Sequence, residues 1–321
     1  MSTSVAEIQS DDVADISDYK TNSLWRLTLR RLFRQRSAQV GLLVLSLLFI
    51  VAIFAPIVAP YDPTEVLIGK EDVKKRQAPC IHLLGCPEDQ PQHIMGTDGN
   101  VRDMFSRIVY GTRVSLQIGI SIVLFAATIG TVLGAIAGFL GGSTDNIIMR
   151  ILDVVLAFPS LLLAIAIVFV MNDRSLFNAM LAVAIVSIPA YARVVRSSVI
   201  SLREADYVEA SRALGASNLE ILSRRILPNA LPPLIILATL GIATAILDTA
   251  ALSFLGLGAQ EPTAEWGTML GRERNQLFSA PHLVFLPGIA ISITVLAFNL
   301  LGDGLRDALD PRLVHGGKSK E

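Results

Sequence analysis

Few residues in this chain of 321 have the types and spacing that enzymatic chemistry needs. The Gly-Lys-Ser triplet at 317–319 has Arg312 where a phosphate-binding loop requires its first glycine, so we interpret it as a chance match. The sequence contains neither the G-x-S-x-G turn of serine hydrolases nor the H-E-x-x-H motif of zinc hydrolases. Four scattered histidines and two cysteines give no ligand set for a metal. We therefore expect no catalytic residue, no bound metal and no cofactor on this chain.

Composition and charge-free runs place the chain in a membrane. Charged residues make up 17% of the sequence, whereas soluble domains carry about 25%. The net charge of −1 gives no basic field that would indicate binding to nucleic acid. Six uncharged stretches are long enough for helices that cross about 30 Å of hydrocarbon. We predict an all-α integral membrane protein with six transmembrane helices, near 40–59, 115–140, 154–171, 175–192, 230–250 and 282–301.

The flanking segments predict an orientation and a division of the chain. Arginines between 26 and 36 favour a cytoplasmic N-terminus, and six spans then place both termini in the cytoplasm. Apolar residues at helical spacing over 101–109 predict an external amphipathic helix. The divisions are 1–23, a disordered cytoplasmic tail unlike a signal peptide; 24–59, a basic interfacial helix and the first span; 60–114, the external loop; 115–301, a five-helix core with a cytoplasmic loop at 193–229; and 302–321, a cytoplasmic C-terminal tail.

Asp248 is the one ionisable side chain within the hydrophobic stretches. An acid inside the membrane is by default a functional candidate, here for a residue that lines a translocation path. The alternative is that Asp248 lies near the external end of its helix and hydrogen-bonds to backbone or water. A single acid without a partner is weak support for a proton-coupled transporter, which usually has several.

Cys80 and Cys86 lie in the predicted external loop, where oxidising conditions permit a disulfide. Gly85 and Pro87 would supply the turn that brings the two Cβ atoms together. The alternative is a pair of free thiols in a variable insertion.

The cytoplasmic loop 193–229 has the pattern of a helix, a glycine turn and a second, capped helix. A stripe of small and apolar residues at helical spacing consists of Tyr207, Ala210, Ser211 and Leu214. Gly215 follows as a left-handed C-terminal glycine would, and Ser217 and Glu220 have the spacing of a capping box. Leu227 and Pro228 are expected to close the second helix. A partner protein could bind this pair of helices. The alternative is that the loop is a structured connector between two spans.

These residues leave three function classes open: a membrane subunit driven by a motor on another chain, a secondary transporter or channel, and a membrane scaffold. EAS at 209–211, Gly215 and LP at 227–228 resemble the EAA–G–LP signature of binding-protein-dependent ABC importer permeases. The wider match resembles the C-type subunit of the dipeptide/oligopeptide/nickel permeases. It rests on APYDP at 59–63, GTD at 96–98, RD at 102–103, SR at 106–107, YVEA at 207–210, LSFLGLG at 252–258 and GDGLRDALDP at 302–311. The chain departs from that pattern at Val101, Ser211, Arg225 and Asp248.

The resemblance implies partners and site residues. This chain would pair with a homologous second permease, two ATPase subunits that bind ATP and Mg²⁺, and an extracellular or periplasmic solute-binding protein, in a bacterial or archaeal inner membrane. The residues that it implies for contact with an ATPase are Asp206, Tyr207, Glu209, Ala210, Ser211, Leu214, Gly215, Ala216, Leu227 and Pro228. The expected substrate is a di- or oligopeptide. The alternatives are nickel or another small solute and, in a different class, proton-coupled transport through Asp248.

Overall fold

The computed structural model describes residue 30 and residues 32–309. Within these residues the helices are α1 (Arg36–Ile53), α2 (Ala55–Val58), α3 (Met104–Leu140), α4 (Gly142–Leu156), α5 (Ser160–Val170), α6 (Leu176–Arg203), α7 (Asp206–Ala213), α8 (Asn218–Phe254), α9 (Trp266–Glu273) and α10 (His282–Leu309). The predicted tail 1–23, most of the predicted interfacial helix and residues 310–321 of the C-terminal tail lie outside the described residues. Residues 302–309 of that tail continue α10 as a helix.

Five helices are long and apolar enough to cross a membrane, namely α1, α3, α6, α8 and α10. They confirm the prediction of an all-α membrane protein, and a sixth span exists if α4 and α5 are counted as one. The third span is not straight, however, because α4 and α5 meet at 92°. Pro159 lies at the corner, where it lacks an N–H and disfavours helical backbone in the residue before it. With 11 residues, α5 is only about 16 Å long and does not cross the hydrocarbon alone.

The predicted external amphipathic helix is the beginning of α3 rather than a separate element. α3 runs without a break for 37 residues, about 55 Å, so its first turns extend beyond the hydrocarbon. Val101 lies before the helix in the left-handed region, with φ 57°. The helix begins after Asp103, whose carboxylate accepts a hydrogen bond from the backbone N–H of Ser106 at 2.7 Å. A capping aspartate, not the apolar spacing, therefore sets the first residue of the helix.

Glycines bring α3 and α6 into backbone contact. A Cβ on Gly138 would lie 2.8 Å from the carbonyl oxygen of Arg196, and one on Gly130 would lie 2.9 Å from the amide nitrogen of Ala192. Larger residues at these positions would push the two helices apart. Gly130 and Gly138 therefore serve the packing of α3 against α6 within the chain.

Candidate cytoplasmic docking site

The helix α7 connects α6 to α8 at the predicted cytoplasmic end, as the sequence pattern predicts. It ends in a complete Schellman motif, in which the N–H of Ala216 donates to the carbonyl of Ser211 at 3.1 Å. The N–H of Gly215 donates to the carbonyl of Arg212 at 3.0 Å. Gly215 has φ 87°, and no described atom lies within 4 Å of a Cβ built there. Glycine is therefore needed for its backbone conformation and not for lack of space.

The second helix begins at the predicted cap and does not end where the sequence suggested. Ser217 accepts a hydrogen bond from the backbone N–H of Glu220 at 3.3 Å, whereas the Glu220 carboxylate pairs with Arg224 at 3.2 Å. The expectation that Leu227 and Pro228 close this helix is wrong, because α8 continues to Phe254. A π-helical segment, Ile221–Ile226, precedes them, and Pro228 lies in the first turn of the regular α-helix. A missing proline N–H is tolerated at that place in a helix.

The segment around α7 presents most of its side chains to solvent. Val208 is fully buried and fixes α7 to the rest of the molecule. Leu214 is 89% exposed and Leu219 is 75% exposed, although both are large apolar residues. Glu209 makes no ion pair with Arg212, three residues further along α7, within the described part of the chain.

The remaining residues of the predicted docking site surround this exposed face. Those that are exposed are Asp206, Tyr207, Glu209, Ala210, Leu214, Gly215 and Pro228, and those that are half-buried are Ser211, Ala216 and Leu227. The Ser211 hydroxyl donates to the carbonyl of Tyr207 at 2.8 Å and so stays within the helix. The segment therefore offers exposed acidic, small and apolar groups, which suit contact with another protein.

Asp248 lies in α8, six residues before its end at Phe254 and thus about 9 Å from it along the helix axis. Its side chain is half-buried and makes no hydrogen bond or ion pair within the described residues. This position near the predicted external end agrees with the first part of the alternative considered for Asp248, whereas the hydrogen bond to backbone is not seen among the described residues. Its place in a translocation path remains a prediction.

Cys80 and Cys86 are joined by a disulfide in the structure. Their Cα atoms are 5.4 Å apart, within the usual range for a bridge. Gly85 supplies the turn through a left-handed conformation, with φ 99°. The N–H of Cys80 donates to the carbonyl of His93 at 2.8 Å, which ties the small loop to the rest of the predicted external segment.

A polar network at the predicted external end was not foreseen from the sequence. Its centre is His93, which is fully buried. The ring atom Nδ1 lies 2.8 Å from Oδ1 of Asp103, and Nε2 lies 3.1 Å from Oε2 of Glu71. Burial alone would lower the pKa of His93, but hydrogen bonds and negative charge from Asp103 and Glu71 outweigh it and raise this pKa. Two facing carboxylates therefore favour the doubly protonated imidazolium, because a neutral ring has one N–H to donate.

A separate group of ion pairs at the same end joins two segments that are far apart in sequence. The guanidinium of Arg102 lies 2.8 Å from Asp98 and 2.6 Å from Glu261, and Arg76 pairs with Glu273 at 2.8 Å. These contacts hold residues 76–102 against residues 261–273 around a cavity of about 160 Å³. The blocks at 96–98 and 102–103 signalled these residues only through family resemblance, and nothing in their local spacing identified their partners.

Comparisons with known proteins find similarity along most of the chain. The family described as binding-protein-dependent transport system inner membrane component matches residues 130–315, and the N-terminal TM domain of oligopeptide transport permease C matches residues 23–79. The dipeptide transport system permease protein DppC of Alkalihalophilus pseudofirmus is 47% identical over 295 residues, which cover 92% of each chain. The di/tripeptide transport system permease protein DppC of Pseudomonas aeruginosa is 48% identical and covers 87% of this chain and 89% of its own.

Two further relatives extend the comparison. The glutathione transport system permease protein GsiD of Pectobacterium atrosepticum is 44% identical over 93% of this chain and 94% of its own. A solved structure of the MetNI methionine ABC transporter, in an inward-facing conformation, matches with a TM-score of 0.50 and 20% identity. It covers 64% of this chain and 98% of that chain, and at this identity it shows a shared fold alone.

Proposed function

The chain belongs to the binding-protein-dependent ABC importer permeases, and from this premise we propose that it forms half of the translocation path for di- or oligopeptides. The observation that carries the proposal is identity of 47% and 48% with dipeptide and di/tripeptide permeases over about nine-tenths of the chain. The glutathione relative supports the same substrate class, because glutathione is itself a tripeptide. Nickel or another small solute is the alternative substrate.

We propose that α7 and the turn after it form the coupling site for an ATPase subunit. An ATPase subunit hydrolyses ATP outside the membrane and does not contact the membrane-spanning parts of the helices. It can therefore move these helices only through a segment of the permease that it contacts at the membrane surface. The segment has one buried anchor, Val208, and a fixed glycine stop, Gly215, so it can transmit a push without unwinding. Leu214 supplies an exposed apolar anchor, and Glu209 supplies a charge that no described residue neutralises.

The proposed assembly contains this chain, a homologous permease, two ATPase subunits and an external solute-binding protein. Hydrolysis of ATP with Mg²⁺ takes place on the ATPase subunits, and this chain is a permease without enzymatic activity of its own. The chain is an integral inner-membrane protein, as its apolar helices and its family indicate. Both termini are proposed to lie in the cytoplasm, as the arginines before α1 favour.

Uptake in proteoliposomes tests this function. The chain and its co-purifying subunits are reconstituted with the binding protein outside, and entry of a radiolabelled dipeptide, of glutathione and of Ni²⁺ is measured. We expect peptide uptake that needs ATP and the binding protein and that an uncoupler does not abolish. Uptake of Ni²⁺ without uptake of either peptide would replace peptide by nickel as the assigned substrate. Uncoupler-sensitive uptake by this chain alone, lost in Asp248→Asn, would overturn the function in favour of proton coupling.

A further inference from the structure

Arg203, the last residue of α6, caps the end of a different helix. Its Nη1 atom donates to the carbonyl oxygens of Gly138 at 3.3 Å and of Phe139 at 3.2 Å. Both carbonyls belong to the last turn of α3, where a helix has no N–H of its own to satisfy them. A cation is also stabilised there by the negative end of the helix dipole. The guanidinium therefore joins α6 to α3 at the predicted cytoplasmic end.

Arg203 also lies close to α7 in the sequence, so the cap can affect the position of α7. Only Glu204 and Ala205 separate the two, and the carbonyl of Ala205 already accepts the first helical hydrogen bond of α7, from Val208 at 2.9 Å. The ion pair between Arg203 and Glu204, at 3.0 Å, lies within the same linker. A linker of two residues is too short to absorb a displacement of α7, so such a displacement must act on Arg203.

The two helices that Arg203 joins are already packed backbone to backbone. A Cβ on Gly138 would lie 3.0 Å from Cβ of Val199, one turn before Arg203. Asp145 of α4 pairs with Arg196 in two short contacts and adds the start of α4 to the same unit. The start of α7 is therefore attached to a rigid unit made of α3 and α6.

The other end of α7 is attached differently. Beyond Gly215 and the Ser217 cap, the chain enters the π-helical segment Ile221–Ile226 of α8. Segments of π-helix in a longer helix often occur at functional sites, because their hydrogen-bond register differs from the α-helix on either side. A movement of α7 thus acts on the Arg203 cap at one end and, at the other, on the π-helical start of α8, where Ile221 and Ile226 are fully buried.

We propose that Arg203 is a positioning residue that passes movement of the docked α7 to α3. The proposal rests on the docking role of α7 proposed above. α3 is the helix through which such movement would travel, since it runs from the Arg203 cap to Asp103, which contacts His93 in the network at the opposite end. Loss of the guanidinium leaves α7 folded and exposed but releases it from α3.

The test uses the whole complex in proteoliposomes and measures peptide imported per ATP hydrolysed. We expect Arg203→Ala to keep the ATPase bound and hydrolysing while import per ATP falls about tenfold, which corresponds to about 1.4 kcal/mol. Arg203→Lys should recover most of the loss, because an ammonium group can still donate to a helix-end carbonyl. The matched control is Arg193→Ala, which removes an arginine of the same helix whose partner, Asp153, lies on α4.

Each outcome decides the proposal. Normal import per ATP in Arg203→Ala would overturn it, as would an equal loss in Arg193→Ala. Loss of ATPase binding in Arg203→Ala would also overturn it, because the residue would then serve the docking surface itself. A separate variant tests the docking role. If α7 does not dock the ATPase, Glu209→Lys will bind the ATPase and import peptide as the unchanged chain does, whatever effect the Arg203 substitutions have.

Discussion

Substitution of Gly215 separates a backbone requirement from a steric one. Gly215 has φ 87°, yet a Cβ there would meet no described atom within 4 Å. A larger side chain therefore fits in space, and its penalty comes from the left-handed backbone alone. That penalty is about 1–2 kcal/mol for an ordinary residue, and a β-branched valine lies at its upper end. Asparagine tolerates the same conformation much better and supplies the matched control.

The penalty falls on the geometry of the proposed coupling site. To relieve it, Gly215→Val has to give up the left-handed turn and with it the hydrogen bonds from the N–H groups of Gly215 and Ala216. A free energy of 1–2 kcal/mol changes the population of the docking-competent turn by a factor of about 5–30. We therefore expect Gly215→Val to insert into the membrane normally but to lose ATPase co-purification and ATP-dependent uptake by about that factor.

The assay compares Gly215→Val and Gly215→Asn at equal membrane levels, with ATPase recovery on the tagged permease and peptide uptake as readouts. Asparagine should retain most of both. Equal behaviour of the two variants, whether both active or both inactive, would show that the left-handed backbone at position 215 is not the cause of the loss.

Three further predictions concern the opposite end of the molecule and its orientation. On a background without native cysteines, Lys70→Cys should react with an impermeant maleimide in intact cells and Ala213→Cys should not; the reverse pattern would invert the topology. Mass spectrometry of unreduced, alkylated protein should show Cys80 and Cys86 linked, a bridge worth about 2–3 kcal/mol, and two alkylated cysteines would exclude it. Because the pKa of His93 is raised, its contribution to stability is complete below about pH 6.5 and is lost as the pH rises through the raised value. Thermal unfolding should show this loss in the unchanged chain and not in His93→Gln, and identical pH profiles would contradict it.

Features set by neighbours in the sequence could be predicted. A span needs about 20 apolar residues in a row, so charge-free runs located the membrane helices. The glycine turn at Gly215 and the cap at Ser217 depend on groups within a few residues, so their pattern was sufficient. Pro159 permits a kink, but the 92° corner could not be predicted, because an apolar run is compatible with a straight or a bent helix in lipid.

Features set by distant partners could not be predicted in this way. Arg76 and Glu273 are 197 residues apart, and Arg203 reaches carbonyls 64 and 65 residues before it. Such pairs leave no periodicity in the sequence, because each partner is positioned by a different element. The continuation of α8 past Pro228 has a related cause: the π-helical turn before it changes the hydrogen-bond register, and residue spacing does not reveal this change.

Site-specific photocross-linking in membranes tests the proposed coupling site most directly. A photoreactive amino acid replaces Leu214, which is 89% exposed next to α7, and in a second variant it replaces Leu83, which is 95% exposed at the disulfide loop. We predict that position 214 cross-links to an ATPase subunit and that position 83 does not. Cross-linking of position 83 to the ATPase, or none from position 214 in complexes that import peptide, would contradict it.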